Sequence, residues 1–265
     1  MGLRAESKPH APRALAGAHT ASVPVQVASG LCLLCGFLCT GASAASAPST
    51  GAGSQSSLER QAHTSLAQSS GSSAAESLDK LLDEPHPGSD VLLHAGIAFA
   101  KKGLFPEAAR VFTRCVRDYP ALFEGHYNLA LAELAQDHFS QAFAAIDQAP
   151  AHSGEESTAR SYLRGKIEAG MGRTQPALQD LSAAFEKAPG RENYALDLGL
   201  IDLETHAYPE SEHVFARGSA LNPQSTYLWL GLALAQFLGG HTSQSLESSR
   251  RALALDPGFS PARLL

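Results

Sequence analysis

The amino-acid sequence predicts an all-α protein, an α-solenoid in which about five pairs of antiparallel helices stack on one another. Three observations lead to this fold class. Small and apolar residues recur with a period of 34 or 35 residues from about residue 89 to residue 257. Each period holds two stretches of strong helix formers, and each stretch is 12 to 14 residues long. Gly and Pro residues interrupt the pattern at regular places, where turns between helices are expected.

Two columns of equivalent residues define the period. The first column always holds a small residue: Gly96, Ala130, Gly165, Gly199 and Ala233. The second column, in the following helix, holds mostly large apolar residues: Phe112, Ile146, Leu181, Phe215 and Ser249. Most units end at a proline: Pro120, Pro189, Pro223 and Pro257. A small residue lets the two helices of a pair approach closely, so the columns predict helix hairpins in register.

This pattern resembles the tetratricopeptide repeat, whose sequence W-x2-L-G-x2-Y, then A-x3-F, then P, is matched most fully by Trp229, Leu232, Ala233 and Pro257. The resemblance covers about residues 89–257 and implies a right-handed superhelix. It implies five repeats, with the boundaries 89–122, 123–157, 158–191, 192–225 and 226–257. The third repeat departs most from the pattern, because Arg164 occupies a position where the family has Leu.

The segment before the repeats differs in kind. Residues 1–44 have the layout of a secretory signal peptide, with basic residues, an apolar run and then Ala42-Ser43-Ala44 as a cleavage signal. We therefore expect an exported protein, in a bacterial periplasm. The alternative is an uncleaved segment, with residues 22–42 attaching the protein to a membrane.

Between this segment and the repeats, the composition predicts little packed structure. Residues 45–73 are rich in Ser, Ala, Gly and Gln, which bury too little apolar surface to offset the entropy of ordering, so a flexible linker is expected. Residues 74–88 are predicted to hold a short amphipathic helix and a connection. At the other end, residues 258–265 are expected to form a partial C-terminal cap.

The stretch from Thr226 to Gly240 carries no charged residue. It is too short for a membrane span, which takes about 20 apolar residues. Its Leu and Ala residues are strong helix formers, and a helix that is apolar on every side must pack on more than one side. We therefore interpret it as the first helix of the fifth repeat.

The sequence offers little support for an enzyme or a nucleic-acid-binding protein. A net charge of −6 without a basic patch argues against nucleic acid as a partner. No H-E-x-x-H, G-x-S-x-G, P-loop or dinucleotide motif is present, so we predict no catalytic residues, no metal and no cofactor. Cys115 occupies a position where the family usually has Ala, and is expected to be a small buried residue and not a reactive thiol.

The family resemblance implies a concave groove lined by the first helix of each repeat. The residues assigned to it are mostly apolar: Leu93, Ile97, Tyr127, Leu131, Leu134, Tyr162, Lys166, Leu196, Leu200, Leu203, Tyr227, Leu230, Leu234 and Phe237. Such a groove suits an apolar peptide or an amphipathic helix of a partner protein, so the expected function is that of an interaction scaffold. Two alternatives stay open: a self-associating module that buries the same surface in a homo-oligomer, and a carrier of an apolar ligand.

Overall fold

The structure is a computed structural model that describes residues 78–258. The predicted signal peptide or anchor (1–44) and the predicted linker (45–73) lie outside the described residues, as do residues 74–77 and all but the first residue of the cap predicted at 258–265. Within the described part, the chain is helical and contains no strand. The prediction of an all-α helical-repeat solenoid is confirmed.

Five helix pairs follow a short helical segment at residues 78–83. The first helices of the pairs are α1 (Ser89–Lys101), α3 (Phe123–Leu134), α5 (Gly154–Gly170), α7 (Glu192–Glu204) and α9 (Thr226–Leu238). The second helices are α2 (Phe105–Asp118), α4 (Phe139–Asp147), α6 (Thr174–Lys187), α8 (Tyr208–Leu221) and α10 (Thr242–Leu255).

The helices pack in a regular pattern. Each helix contacts the next one along the chain, and each first helix also contacts the first helix of the following pair. Small residues lie where the two helices of a pair approach most closely. A methyl group added at Gly96 would lie 2.5 Å from the ring of Phe112, and one at Gly165 would lie 2.8 Å from Leu181 Cγ. Size complementarity between the two sequence columns therefore sets the distance between paired helices.

The turn inside each pair contains one residue in the left-handed region. Glycine supplies it in three repeats, at Gly103, Gly172 and Gly240. Asp137 (φ 57°) and His206 (φ 62°) occupy the equivalent places in repeats 2 and 4. Such a φ is costly for residues with a Cβ, and Asp and His are among the residue types that adopt it most often in place of Gly.

The third repeat begins differently from the predicted boundary at residue 158. Helix α5 begins at Gly154 and is capped by Ser153, whose hydroxyl accepts from the Glu156 N–H at 3.1 Å. The Glu156 carboxylate accepts from the Ser153 N–H at 3.2 Å in return. This capping box satisfies two backbone groups at once and extends the helix by one turn toward its N-terminus.

Arg164, the residue that departs from the family pattern, forms a bidentate ion pair with Asp180 of α6. Its Nη2 lies 2.7 Å from Asp180 Oδ1, and its Nε donates to Oδ2. The aspartate side chain is largely buried, so the pair replaces an apolar contact between α5 and α6 by a charged one.

The helical segment 78–83 covers the first repeat. Leu78 is only 1% exposed, lies 34 residues before Phe112 and belongs to the same core cluster. The Arg114 guanidinium on α2 donates to the carbonyl of Leu82 at 2.6 Å. This segment therefore packs against α2 and stands where the second helix of a preceding pair would lie.

Candidate partner-binding surface

The structure places the fourteen predicted groove residues in three environments. Three are exposed: Leu200, Tyr227 and Phe237. Nine are partly buried: Leu93, Ile97, Tyr127, Leu131, Leu134, Lys166, Leu196, Leu230 and Leu234. The remaining two are buried: Tyr162 and Leu203. These two belong to the core cluster that joins repeats 3, 4 and 5, so their side chains offer no surface to a partner, contrary to their assignment from sequence.

In the first two repeats, the predicted groove residues are largely used in internal packing. Leu93 and Ile97 pack against the core of repeat 1. Tyr127, Leu131 and Leu134 pack in the same way against the core of repeats 2 and 3. This half of the first-helix layer therefore presents little exposed apolar area.

At the third repeat, a hydrogen-bonded cluster occupies the predicted groove. The Tyr162 ring stacks on Tyr194 with ring centroids 4.1 Å apart, and its hydroxyl donates to the Asp197 carboxylate. Lys166 Nζ lies 3.1 Å from Asp197 Oδ2 and 5.5 Å from the centroid of the Tyr162 ring. Burial raises the pKa of Tyr162, and the Asp197 charge adds to this effect. Lys166 is thus committed to an internal ion pair, a role that its position in the repeat did not reveal.

The last two repeats carry the exposed apolar side chains of the layer. We define the α7–α9 apolar surface as Leu200, Tyr227, Leu234, Phe237 and Leu238. Four of these are exposed by 42 to 61%, and Leu234 is partly buried. The α9 members fall on one side of that helix, because their spacing of 7, 10 and 11 residues returns to the same face. Leu200 lies 34 residues before Leu234 on α7, which contacts α9.

The opposite side of α9 is held in the core. Leu228 and Ala235 are completely buried, and Leu232 is 5% exposed. The Ser225 hydroxyl caps the helix by accepting from the Leu228 N–H at 3.2 Å, and it donates to Glu192 at 2.6 Å. These contacts fix the rotation of α9, so its second apolar side faces outward.

Other features of the described residues are consistent with a structural role. Cys115 is fully buried, and its burial, together with the negative charges of Asp118 and Glu124, raises the pKa of the thiol to about 11. A methyl group added at Gly125 of α3 would lie 3.2 Å from Cys115 Sγ, so the cysteine packs at the junction of repeats 1 and 2. Between residues 78 and 258, we find no cluster of His, Cys, Asp or Glu arranged to hold a metal ion. No helix in that range combines the length and the apolarity that a membrane crossing requires.

Stacked helix hairpins with an apolar first-helix layer define a helical-repeat protein of the kind that binds other proteins. Residues 93–157 match the family described as tetratricopeptide repeat. The five hairpins described here have this repeat length, and the fold is that of a tetratricopeptide repeat solenoid. No curated protein sequence matches the chain.

Solved structures with a similar fold include proteins described as tetratricopeptide repeat proteins. YrrB, described as having an unusual peptide-binding site, is 14% identical with a TM-score of 0.55, and the match covers 72% of this chain and 97% of YrrB. MamA from Desulfovibrio magneticus RS-1 is 16% identical with a TM-score of 0.55, covering 64% of this chain and 96% of MamA. A tetratricopeptide repeat protein from Parabacteroides merdae is 20% identical with a TM-score of 0.54, covering 64% and 68%. At these identities, the likeness concerns the fold alone.

Proposed function

We propose that this protein is an exported, non-catalytic scaffold that binds an apolar peptide or helix of a partner protein on the α7–α9 apolar surface. The proposal rests on one observation: α9 exposes apolar side chains on one side of the helix and buries those on the other. Tyr227 and Phe237 are 61% and 48% exposed, while Leu228 on the other side is completely buried. A contiguous apolar patch of this kind is typical of a protein-interaction site.

The chemistry of the surface favours an apolar partner segment. Leucines supply area that is removed from water on binding, and Tyr227 and Phe237 supply large, stiff contact groups. None of the five side chains is charged, so a strongly acidic or basic peptide would lose hydration without gaining a partner charge. That YrrB is described as having a peptide-binding site supports a peptide as the ligand class.

Site-specific crosslinking tests this proposal. We expect a photoreactive residue at Leu234 or Phe237, introduced into the full chain in the cells that make it, to capture one recurrent partner protein. A matched probe at Leu246 of α10, which is 44% exposed and lies outside the surface, should capture at least tenfold less of that protein. Leu200→Glu should lower the yield at Leu234 at least tenfold, because it places a charge in the apolar contact.

The outcomes separate the partner hypothesis from its alternatives. A crosslinked product of two copies of this chain would contradict it and support self-association. A product that contains a lipid or another small apolar molecule would support a carrier instead. Equal capture at Leu234 and Leu246 would show that the α7–α9 apolar surface has no special role.

We also propose that the protein is exported, on the basis of the signal-peptide layout of residues 1–44. The expected result is a mature chain that begins at Ala45 and is found outside the cytoplasm. Intact-mass measurement of the protein purified from its native cells checks this. A chain that retains residues 22–42 and sediments with membranes would support the anchored alternative, and a full-length chain in the cytoplasm would contradict both.

A further inference from the structure

Two positions recur in each repeat, one near the end of the first helix and one just before the second. The first position holds a polar residue in four repeats: Glu133, Glu168, Asp202 and Gln236. The second is the N-cap of the second helix, with φ between −81° and −88° and ψ between 58° and 68° in every repeat. Its residues are Leu104, His138, Arg173, Ala207 and His241. The repeats can therefore be compared directly at these two positions.

Repeats 2 and 5 show how a polar residue at the first position is satisfied. In repeat 2, His138 Nδ1 lies 2.9 Å from Glu133 Oε2. In repeat 5, Gln236 accepts from the Ser248 hydroxyl at 2.8 Å and donates to Glu212 at 3.4 Å. His241 Nδ1 lies 2.9 Å from the other oxygen of Glu212. In repeat 2, the N-cap histidine contacts the carboxylate at the first position itself. In repeat 5, it contacts Glu212, which is hydrogen-bonded to the residue at that position.

Repeat 4 has the acid and lacks its partners. Asp202 is 6% exposed, and the N-cap residue that would face it is Ala207. The residues one repeat before Ser248 and Glu212 are Val214 and Leu178, neither of which carries a polar side chain. Within residues 78–258, the Asp202 carboxylate has no hydrogen-bond or ion-pair partner. A nearly buried carboxylate without a protein partner is costly, and a cation that reached it would offset this cost.

Asp202 lines an open cleft of about 390 Å³ between α6, α7 and α8. The floor is apolar, with Phe185, Leu198 and Val214, and the rim carries Glu210 and His213. Burial, together with the negative charge of Glu210, raises the pKa of Asp202 to about 6. The charge of Glu210 also favours a positive charge beside Asp202.

The other charged groups around the cleft leave it negative. Glu186 of α6 accepts from Arg217 Nη1 at 2.8 and 2.9 Å, so the charges of these two residues compensate each other. Glu210 has no ion-pair partner in the described part of the chain. Asp202 and Glu210 therefore remain as two carboxylates without an internal cation.

We propose that the cleft of repeat 4 binds a guanidinium group, presented by an arginine side chain of a partner protein, at the place where repeats 2, 3 and 5 have a basic residue of their own. The planar cation reaches the Asp202 carboxylate from the open side, with Glu210 beside it. Repeat 3 has an arginine, Arg173, at the equivalent N-cap; its guanidinium lies 5.5 Å from the centroid of the Phe143 ring, and Glu168 Oε2 has no hydrogen-bond partner in the described part of the chain.

This site is separate from the α7–α9 apolar surface. Leu200 and Asp202 are two residues apart on α7, which places them about 200° apart around the helix. The cleft opens between the second helices α6 and α8, whereas the apolar surface lies on the first helices α7 and α9. The two proposals can therefore fail independently.

Binding of small model compounds to the purified full chain tests the site. The probe is N-acetyl-arginine-methylamide, measured by NMR titration, and its matched neutral control is the citrulline compound of the same shape. We expect the citrulline compound to bind at least tenfold more weakly at pH 7.5. A pentapeptide with one central arginine should bind at least as well as the model compound, whereas a clear preference for free arginine would indicate a metabolite site and overturn the assignment to a protein partner.

Three variants locate the interaction. Asp202→Asn should weaken arginine binding at least tenfold. Ala207→Arg should also abolish it, because it supplies internally the arginine that repeat 3 has at the same place. Glu204→Gln, on an exposed part of the same helix, should leave binding unchanged. Equal binding by the citrulline compound, or unchanged binding in both Asp202→Asn and Ala207→Arg, would overturn the proposal.

A stability readout confirms that the variants are folded and tests the charge state of Asp202. Because the pKa of Asp202 is raised in the folded protein, the native state binds more protons than the unfolded chain between about pH 4 and 6, and stability falls as the pH rises through this window. Asp202→Asn should therefore raise Tm, by an amount that grows over the same window. The growth of this difference in Tm should persist in His213→Gln, which removes the histidine at the rim. A difference that does not vary with pH would contradict an unpaired carboxylate at this position.

Discussion

Replacing Phe215 by Ala is expected to lower the free energy of unfolding by about 3–5 kcal/mol. The ring is completely buried and lies between three helices of repeats 4 and 5. A methyl group added at Gly199 of α7 would lie 2.6 Å from Phe215 Cζ, and one at Gly231 of α9 would lie 2.5 Å from Cε1. Removing the ring therefore opens a cavity where α7, α8 and α9 meet.

Chemical denaturation followed by circular dichroism measures this loss, and Phe237→Ala is the matched control. Both substitutions remove the same side chain, but Phe237 is 48% exposed and its loss should cost less than about 1 kcal/mol. Equal losses in the two variants would contradict the placement of Phe215 as the side chain that joins repeats 4 and 5.

Much of the fold could be predicted from sequence because each repeat carries the same physical requirement. In four of the five repeats a small residue faces a large one where the paired helices cross, and the recurrence of this pair once per hairpin is visible as the 34-residue period. The turns were harder to predict, since Asp137 and His206 adopt a positive φ that is uncommon for any residue other than Gly. Repeat 3 also begins early, because Ser153 and Glu156 form a local capping box that lies outside the repeating pattern.

The candidate surface could be predicted only in part. Position in the repeat identified Leu200, Tyr227 and Phe237, which are exposed, but it also selected Tyr162 and Leu203, which are buried. A repeat pattern describes where a side chain stands within its own unit. Whether it is covered depends on the neighbouring unit, and for Tyr162 the covering groups are Tyr194 and Asp197 from the next repeat.

The same reasoning explains why the cleft of repeat 4 was not found from sequence. An acidic residue at Asp202 is unremarkable beside Glu133 and Glu168 at the equivalent positions. Its significance comes from the absence of a basic residue at Ala207 and of polar residues on the neighbouring helices. Those neighbours are known only when the packing of α6, α7 and α8 is known.

Gly199→Ala is expected to destabilise the protein by about 2 kcal/mol, although Ala is the better helix former by about 1 kcal/mol. The added methyl group would lie 2.6 to 2.9 Å from three atoms of the Phe215 ring, which cannot move away because Gly231 lies against it from α9. The measurement is the same denaturation experiment. A variant as stable as the parent protein would show that α7 and α8 are not in the close contact described.

Repeat 2 indicates how this cost can be relieved. There the small position holds Ala130 and the large position holds Ile146, and both are completely buried. If the size of one residue limits the size of the other, the double variant Gly199→Ala with Phe215→Ile should be no less stable than Phe215→Ile alone. The expected coupling energy in the double-mutant cycle is about 2 kcal/mol. Additive effects would mean that the pair does not act as a unit, and that the spacing of the helices is set by other contacts.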